Sequence, residues 1–203
     1  LAACLAPLAV GFAIPAAMLA RLALQGGDEQ FGARFATLAA NSFLVSAVTA
    51  ALAVTLAVVM AYGARVSRSP LAAAVNRLAG LGYAVPGAVI AVGVLIPAAK
   101  LDNLLADALG ALFGISAGLV LTGSIAALVY AYLIRFLAVA LQSVEAGLAK
   151  ITPAMDDAAR SLGLAPAQAL AKVHLPMMRS SLVTAALLVF VDVMKELPAT
   201  FVM

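Results

Sequence analysis

Few side chains in this sequence are equipped for chemistry, and they gather in two places. Near its end, Asp192, Lys195 and Glu196 interrupt an apolar run. Glu196 lies four residues beyond Asp192 and shares its helical face, with Lys195 close by. Acids inside an apolar helix are costly in hydrocarbon and must face protein or water. Two chemistries suit them. One is a local salt bridge of Asp192 with Lys195, fixing the helix end before Pro198. The other presents two carboxylates, as oxygen ligands and negative potential, to a passing hard cation.

The second place is the polar stretch around Asp157 to Pro176. Thr152 suits a helix N-cap, Pro153 suits the first helical position, and Asp156 and Asp157 put negative charge in the first turn. Gly163 can take the left-handed conformation that ends a helix. Pro166 can start a second short helix, which Pro176 stops or kinks. The stretch therefore predicts a hairpin of two short helices.

Other chemistries lack their residues. Cys4 is alone, so there is no disulfide framework and no thiolate cluster. His174 is the single histidine and reads as a solvated or interface side chain rather than a ligand. No Gly-x4-Gly-Lys-Ser/Thr phosphate loop occurs, so the chain is not itself an ATPase. The net charge of +3 comes without aromatic-rich basic patches, which gives nucleic-acid binding no support. No metal site is firmly assigned.

The elements that must position these groups are apolar helices. Hydrophobic residues make up 66% and charged residues 10% of the sequence, and mean hydropathy is +1.14, far from a soluble domain. Runs of roughly 20 apolar residues, each able to cross a ~30 Å hydrocarbon core, recur five times. They are expected at 1–24, 37–62, 78–98, 117–141 and from Ser180 to Leu197-Pro198. A polar loop around Gly26-Gly27-Asp28-Glu29 and an interfacial amphipathic helix over 99–116, holding Lys100, Asp102 and Asp107, complete the pattern. The expected fold is an all-α polytopic bundle. In the second span Ser42, Ser46 and Thr49 follow helical spacing, serving interhelical packing or lining a path together with Asn41. Pro86-Gly87 should break or kink the third span, near Tyr83. In the fourth, Tyr130 and Tyr132 point to different faces, and Arg135 must snorkel or face the bundle. Arg65, Arg68, Arg77, Lys150, Arg160, Lys172 and Arg179 lie on the hairpin side, against Arg21, Arg34, Lys100 and Lys195 opposite. That bias puts the hairpin in the cytoplasm.

The string Asp157-Ala158-Ala159, three residues, Gly163, nine residues, Val173-His174-Leu175-Pro176 resembles the "EAA loop" of permease subunits in bacterial ATP-binding-cassette importers. Asp157 stands for the usual Glu and Val173 for the usual Ile. Asn41-Ser42, Ala61-Tyr62 with Arg65, and Gly82-Tyr83-Ala84-Val85-Pro86-Gly87 are similar to the family pattern too. Asp192-Val193-Met194-Lys195-Glu196-Leu197-Pro198-Ala199-Thr200 most resembles its ferric-iron branch.

The resemblance implies a multi-pass permease of the bacterial inner membrane, with residues 1–203 as one transmembrane domain and 145–179 as its coupling loop. It further implies the second half of a fused permease, cut before its last span. Asp157, Ala158, Ala159, Arg160, Gly163, Val173, Leu175 and Pro176 would couple to a cytoplasmic ATPase dimer, which uses ATP and Mg. This chain would bind no cofactor. A periplasmic binding protein would deliver ferric iron past Asn41, Ser42, Tyr83, Tyr130, Arg135, Asp192 and Glu196. A second permease half and membrane lipid complete the partners. Thiamine, a polyamine or an oxyanion such as phosphonate or sulfate is the alternative cargo. An ATP-independent transporter or scaffold is the alternative of a different class.

Overall fold

The computed structural model describes Pro7 and residues 9–25, 33–113 and 121–196. Cys4, the Gly26–Glu29 loop, residues 114–116, the first residues of the fourth expected span, and Leu197 to Thr200 lie outside the described residues. All regular structure among the described residues is helical. The chain divides into two compact units, Leu1–Ser42 and Phe43–Met203.

The first unit holds a π turn (Ala9–Ala13), α1 (Ile14–Gln25) and the start of α2 (Ala33–Ser67). The second holds the rest of α2, α3 (Pro70–Ala79), a 3-10 turn (Gly80–Ala84), α4 (Gly87–Phe113) and α5 (Ile125–Leu148). The hairpin follows as α6 (Pro153–Ser161), α7 (Pro166–Ala169), a π turn (Leu170–His174) and α8 (Leu175–Met177), and α9 (Arg179–Met194) leads away from it.

The chain is an all-α polytopic membrane bundle. Among the described residues three helices are long and apolar enough: Phe35–Ser67, Gly87–Asp107 and Ile125–Leu148. The pair Pro166–Met177 and Arg179–Met194, bent by 78°, makes a fourth if taken as one span. In the first expected span the described apolar helix covers Val10–Leu22.

Three expectations are corrected. α2 continues to Ser67, so Arg65 is carried on a helix and not in a loop. Residues 99–113 continue α4 instead of forming a separate interfacial helix. The reason lies in Asp102, which is buried and accepts the backbone N–H groups of Leu121 (2.8 Å) and Thr122 (2.7 Å) just before α5. Pro176 neither stops nor kinks its helix, for the bend falls two residues later, at Met178.

α5 is the central element. Tyr132, Phe136, Ala140 and Val144 on one side of it meet Ala53, Ala57 and Ala61 of α2 and Val189 and Val193 of α9. Alanines at the contact let the helices approach closely, the usual solution where lipid supplies no hydrophobic drive between helices. Outward faces carry exposed Leu56, Val92 and Leu187, the inside-out pattern of a bundle solvated by hydrocarbon.

The third span is broken rather than kinked. Asn76 of α3 bonds Glu145 near the hairpin end of α5 (3.1 Å), Gly82 packs on the Ile134 carbonyl, and Gly87 abuts Arg135. Ile90 and Val94 then pack on Ala131. α3, the 3-10 turn and the start of α4 thus run antiparallel along α5. Gly87 sits ~20 Å along α5 from its hairpin end. A Cβ at Gly82 would collide with backbone, so the close approach requires glycine there.

Candidate functional site

The hairpin is built by its turn chemistry. α6 begins at Pro153 after Thr152, whose hydroxyl makes no cap bond although it holds the N-cap position. It ends in a Schellman arrangement: Leu164 N–H donates to the Ala159 carbonyl (3.1 Å) and Gly163 N–H to that of Arg160 (2.9 Å). Gly163 has φ +80°, the left-handed value such a turn demands. Before Pro176, which lacks an N–H and whose ring crowds the preceding turn, the helix widens into the π turn Leu170–His174.

Of the eight hairpin residues singled out from sequence, Asp157, Ala158, Arg160, Gly163 and Pro176 are exposed. Asp157 and Arg160 pair with each other on the surface. Ala159 is buried, and Val173 and Leu175 are half-buried. At the tip Leu162 is 82% exposed, an apolar side chain offered to whatever meets the hairpin.

What holds the hairpin to the bundle is a cluster centred on Asp156. Its carboxylate accepts from Arg65 Nε (2.9 Å) and lies 2.8 Å from Arg65 Nη2. Its other oxygen lies 2.6 Å from His174 Nε2, which donates because a carboxylate only accepts. Arg65 also donates to the carbonyls of Leu148 (2.8 Å) and Ile151 (2.6 Å), where α5 gives way to the hairpin. The Tyr62 hydroxyl donates to the Pro166 carbonyl (2.8 Å), and its ring lies 5.1 Å from that of His174. Burial works against a charged Asp156, but the hydrogen bonds and charges of Arg65 and His174 outweigh it and hold the carboxyl below its usual value.

His174 is therefore no solvated side chain: it is 1% exposed and serves the hairpin's own packing. Asp156, His174 and Tyr62 were missed as a group from sequence. Tyr62 and Arg65 stand three residues apart on one helical face, which was a usable signal. Asp156 and His174 stand eighteen apart, across a turn, which was none.

The second site lies in the bundle. Arg135 faces inward and pairs with Glu196 (3.5 Å), while its guanidinium carbon sits 5.5 Å from the Phe136 ring centroid. The Tyr132 hydroxyl reaches the Glu196 carbonyl at 3.5 Å. Tyr83 meets Phe136 edge-on. Asp192 pairs with Lys195 at 2.7 Å. Tyr130 faces the other way, onto an apolar groove of about 530 Å³ with Ile90, Val94 and Pro97. Asn41 and Ser42 are exposed and belong to the first unit. Buried Ser46 and Thr49, farther along the same helix, are the inward-facing polar pair. Among the described residues no group of three or more His, Cys, Asp or Glu side chains is gathered to hold a metal ion.

The chain is similar to the Fe(3+)-transport system permease protein FbpB 2 of Haemophilus influenzae, at 29% identity over 163 residues. The match takes in 80% of this chain and 29% of that relative, so the chain spans less than a third of its length. No family model matches. The similarity is thus to part of a protein named as a transport permease.

Proposed function

We propose that this chain is the permease part of an ATP-driven importer of the ABC type, and that the hairpin over Pro153–Met177 is where a separate cytoplasmic ATPase grips it. The observation that carries this reading is the hairpin itself. A glycine-ended helix, exposed along Asp157, Ala158 and Arg160 and tipped by Leu162, is tied to the end of an apolar bundle in a chain similar to a transport permease. ATP and Mg act in the partner, a binding protein outside delivers substrate, and a second permease half completes the path. Nucleotide shifts the bundle between inward- and outward-open states because it contacts the two differently.

Ferric iron is the proposed cargo, drawn from the Asp192–Thr200 string and from what the similar permease is named to transport. Glu196 and Asp192 would meet it in passing, since each has a cationic neighbour, Arg135 and Lys195. Arg135 supports the second reading, an oxyanion on the same machinery, since an inward guanidinium favours negative charge.

One experiment tests the reading. Tagged full-length permease is purified from its host, and vesicles holding it with its ATPase are offered radiolabelled ferric iron on the binding protein. Retention of an ATPase, and ATP-dependent iron entry that falls in Asp192→Asn with Glu196→Gln, is the expected result. Absence of any ATPase refutes the importer, and entry of sulfate or phosphonate instead of iron refutes the cargo. Iron entry unchanged in the doubly substituted permease makes both carboxylates structural.

A further inference from the structure

We infer that Tyr62 and Arg65 are positioning residues through which the hairpin moves α2. The inference rests on the coupling reading. The hairpin is joined through the backbone to α5 on one side and α9 on the other, so any displacement reaches those two helices directly. α2 is far away in the chain and can follow only through contacts.

Those contacts are concentrated in one helical turn. Tyr62 holds the second limb of the hairpin at the Pro166 carbonyl (2.8 Å). Arg65 holds the first limb at Asp156 (2.9 Å) and the junction with α5 at the carbonyls of Leu148 (2.8 Å) and Ile151 (2.6 Å). One turn of α2 therefore grips both limbs and their base. The three-way grip needs the planar fork of a guanidinium, whose donors leave in fixed and different directions, whereas an ammonium is a point charge. Behind this turn α2 is packed by Ala53, Ala57 and Ala61, all at 5% exposure or less. A close-packed interface of this kind transmits displacement instead of absorbing it. Farther along lie buried Ser46 and Thr49, the latter sixteen residues or ~24 Å from Arg65. Motion at the hairpin is thus delivered to the polar face of α2 inside the bundle.

The test uses full-length permease in complex with its ATPase in lipid vesicles. Spin labels at Leu52 of α2 and Leu188 of α9 report on α2, and labels at Tyr130 of α5 and Leu188 report on the two helices joined to the hairpin. All three positions are exposed. The variants are Arg65→Lys, which keeps the charge and loses the fork, and Tyr62→Phe, which keeps the ring beside His174 and loses one hydroxyl. In the wild type, ATP changes both distances. In the double variant the ATPase is still retained and the α5–α9 distance still responds, but the α2 distance no longer does, and substrate moved per ATP falls about tenfold, the size of a typical lost coupling. An α2 response equal to wild type overturns the inference while leaving the importer intact. A wild-type complex that retains no ATPase overturns the importer and the inference together. Tyr62→Phe alone gives an intermediate loss, and full wild-type coupling in Arg65→Lys also overturns the inference.

Discussion

Two neighbouring aspartates, Asp156 and Asp157, should respond very differently to replacement by alanine. Asp156→Ala removes the acceptor of one Arg65 hydrogen bond and the carboxylate to which His174 Nε2 donates. A hydrogen bond to a charged group contributes about 1.5–3 kcal/mol. The two do not simply add, because the Asp156 side chain is 27% exposed and partly screened, and Arg65 keeps two carbonyl acceptors. His174, at 1% exposure, cannot turn to water. The expected loss in hairpin docking is about 2–4 kcal/mol, or roughly 30- to 700-fold in the docked-to-undocked ratio. Asp157 pairs with Arg160 where both side chains are more than 60% exposed, and such a pair contributes about 1 kcal/mol at most. Hydrogen exchange of full-length permease in lipid discs reads both, since local opening sets the rate at hairpin amides. Amides of α6 and of Gly163 and Leu164 should exchange faster in Asp156→Ala, with the core of α5 unchanged, and scarcely faster in Asp157→Ala. Equal exchange in the two variants would refute the argument that Asp156 fastens the hairpin.

Gly163→Val should keep the permease inserted yet detach its ATPase, because φ +80° strains any residue with a Cβ although the space around it is open; co-purification checks this. Acid should undock the hairpin through Asp156, flanked by Arg65 and His174. Its carboxyl titrates lower when docked, so docking is at full strength above about pH 4 and weakens as pH falls further, a trend that limited proteolysis of the hairpin should follow and that Asp156→Asn should abolish.

The hairpin was legible because turn chemistry is local. Pro153, Gly163 and Pro166 each constrain the backbone where they stand, and the helices begin and end at them. The apolar helices were legible because hydrocarbon imposes length and composition along the chain itself. What joins them was not. Asp157 matches the sequence pattern, while its neighbour Asp156 is the residue turned inward to Arg65 and His174. Adjacent residues on a helix point about 100° apart, and only the packing of the hairpin says which of two aspartates faces the bundle. The same holds for Asp102: beside Lys100 and Asp107 it read as one charge of an interfacial helix, and it is buried against the backbone at Leu121.

From sequence, Arg135, Glu196 and Pro86-Gly87 are separate features: a basic residue that snorkels or faces the bundle, an acid beside Asp192, and a break or kink. They meet at one point. The break before α4 packs along α5 through its glycines, while Tyr83 and Pro86 remain exposed. Gly82 permits that packing by lying on the Ile134 carbonyl, and Gly87 leaves room for the Glu196 carboxylate and the Arg135 guanidinium, both of which a Cβ would strike. The first turn of α4 has amide groups without helical partners and the positive end of a dipole, so a carboxylate beside it is favoured. Arg135 then balances that carboxylate, and Phe136 covers the guanidinium. A broken helix, a buried acid and a partly buried base are each costly alone in a membrane. Here each supplies what another lacks, at the point where Pro86-Gly87 breaks the helix and Gly87 abuts Arg135 and Glu196.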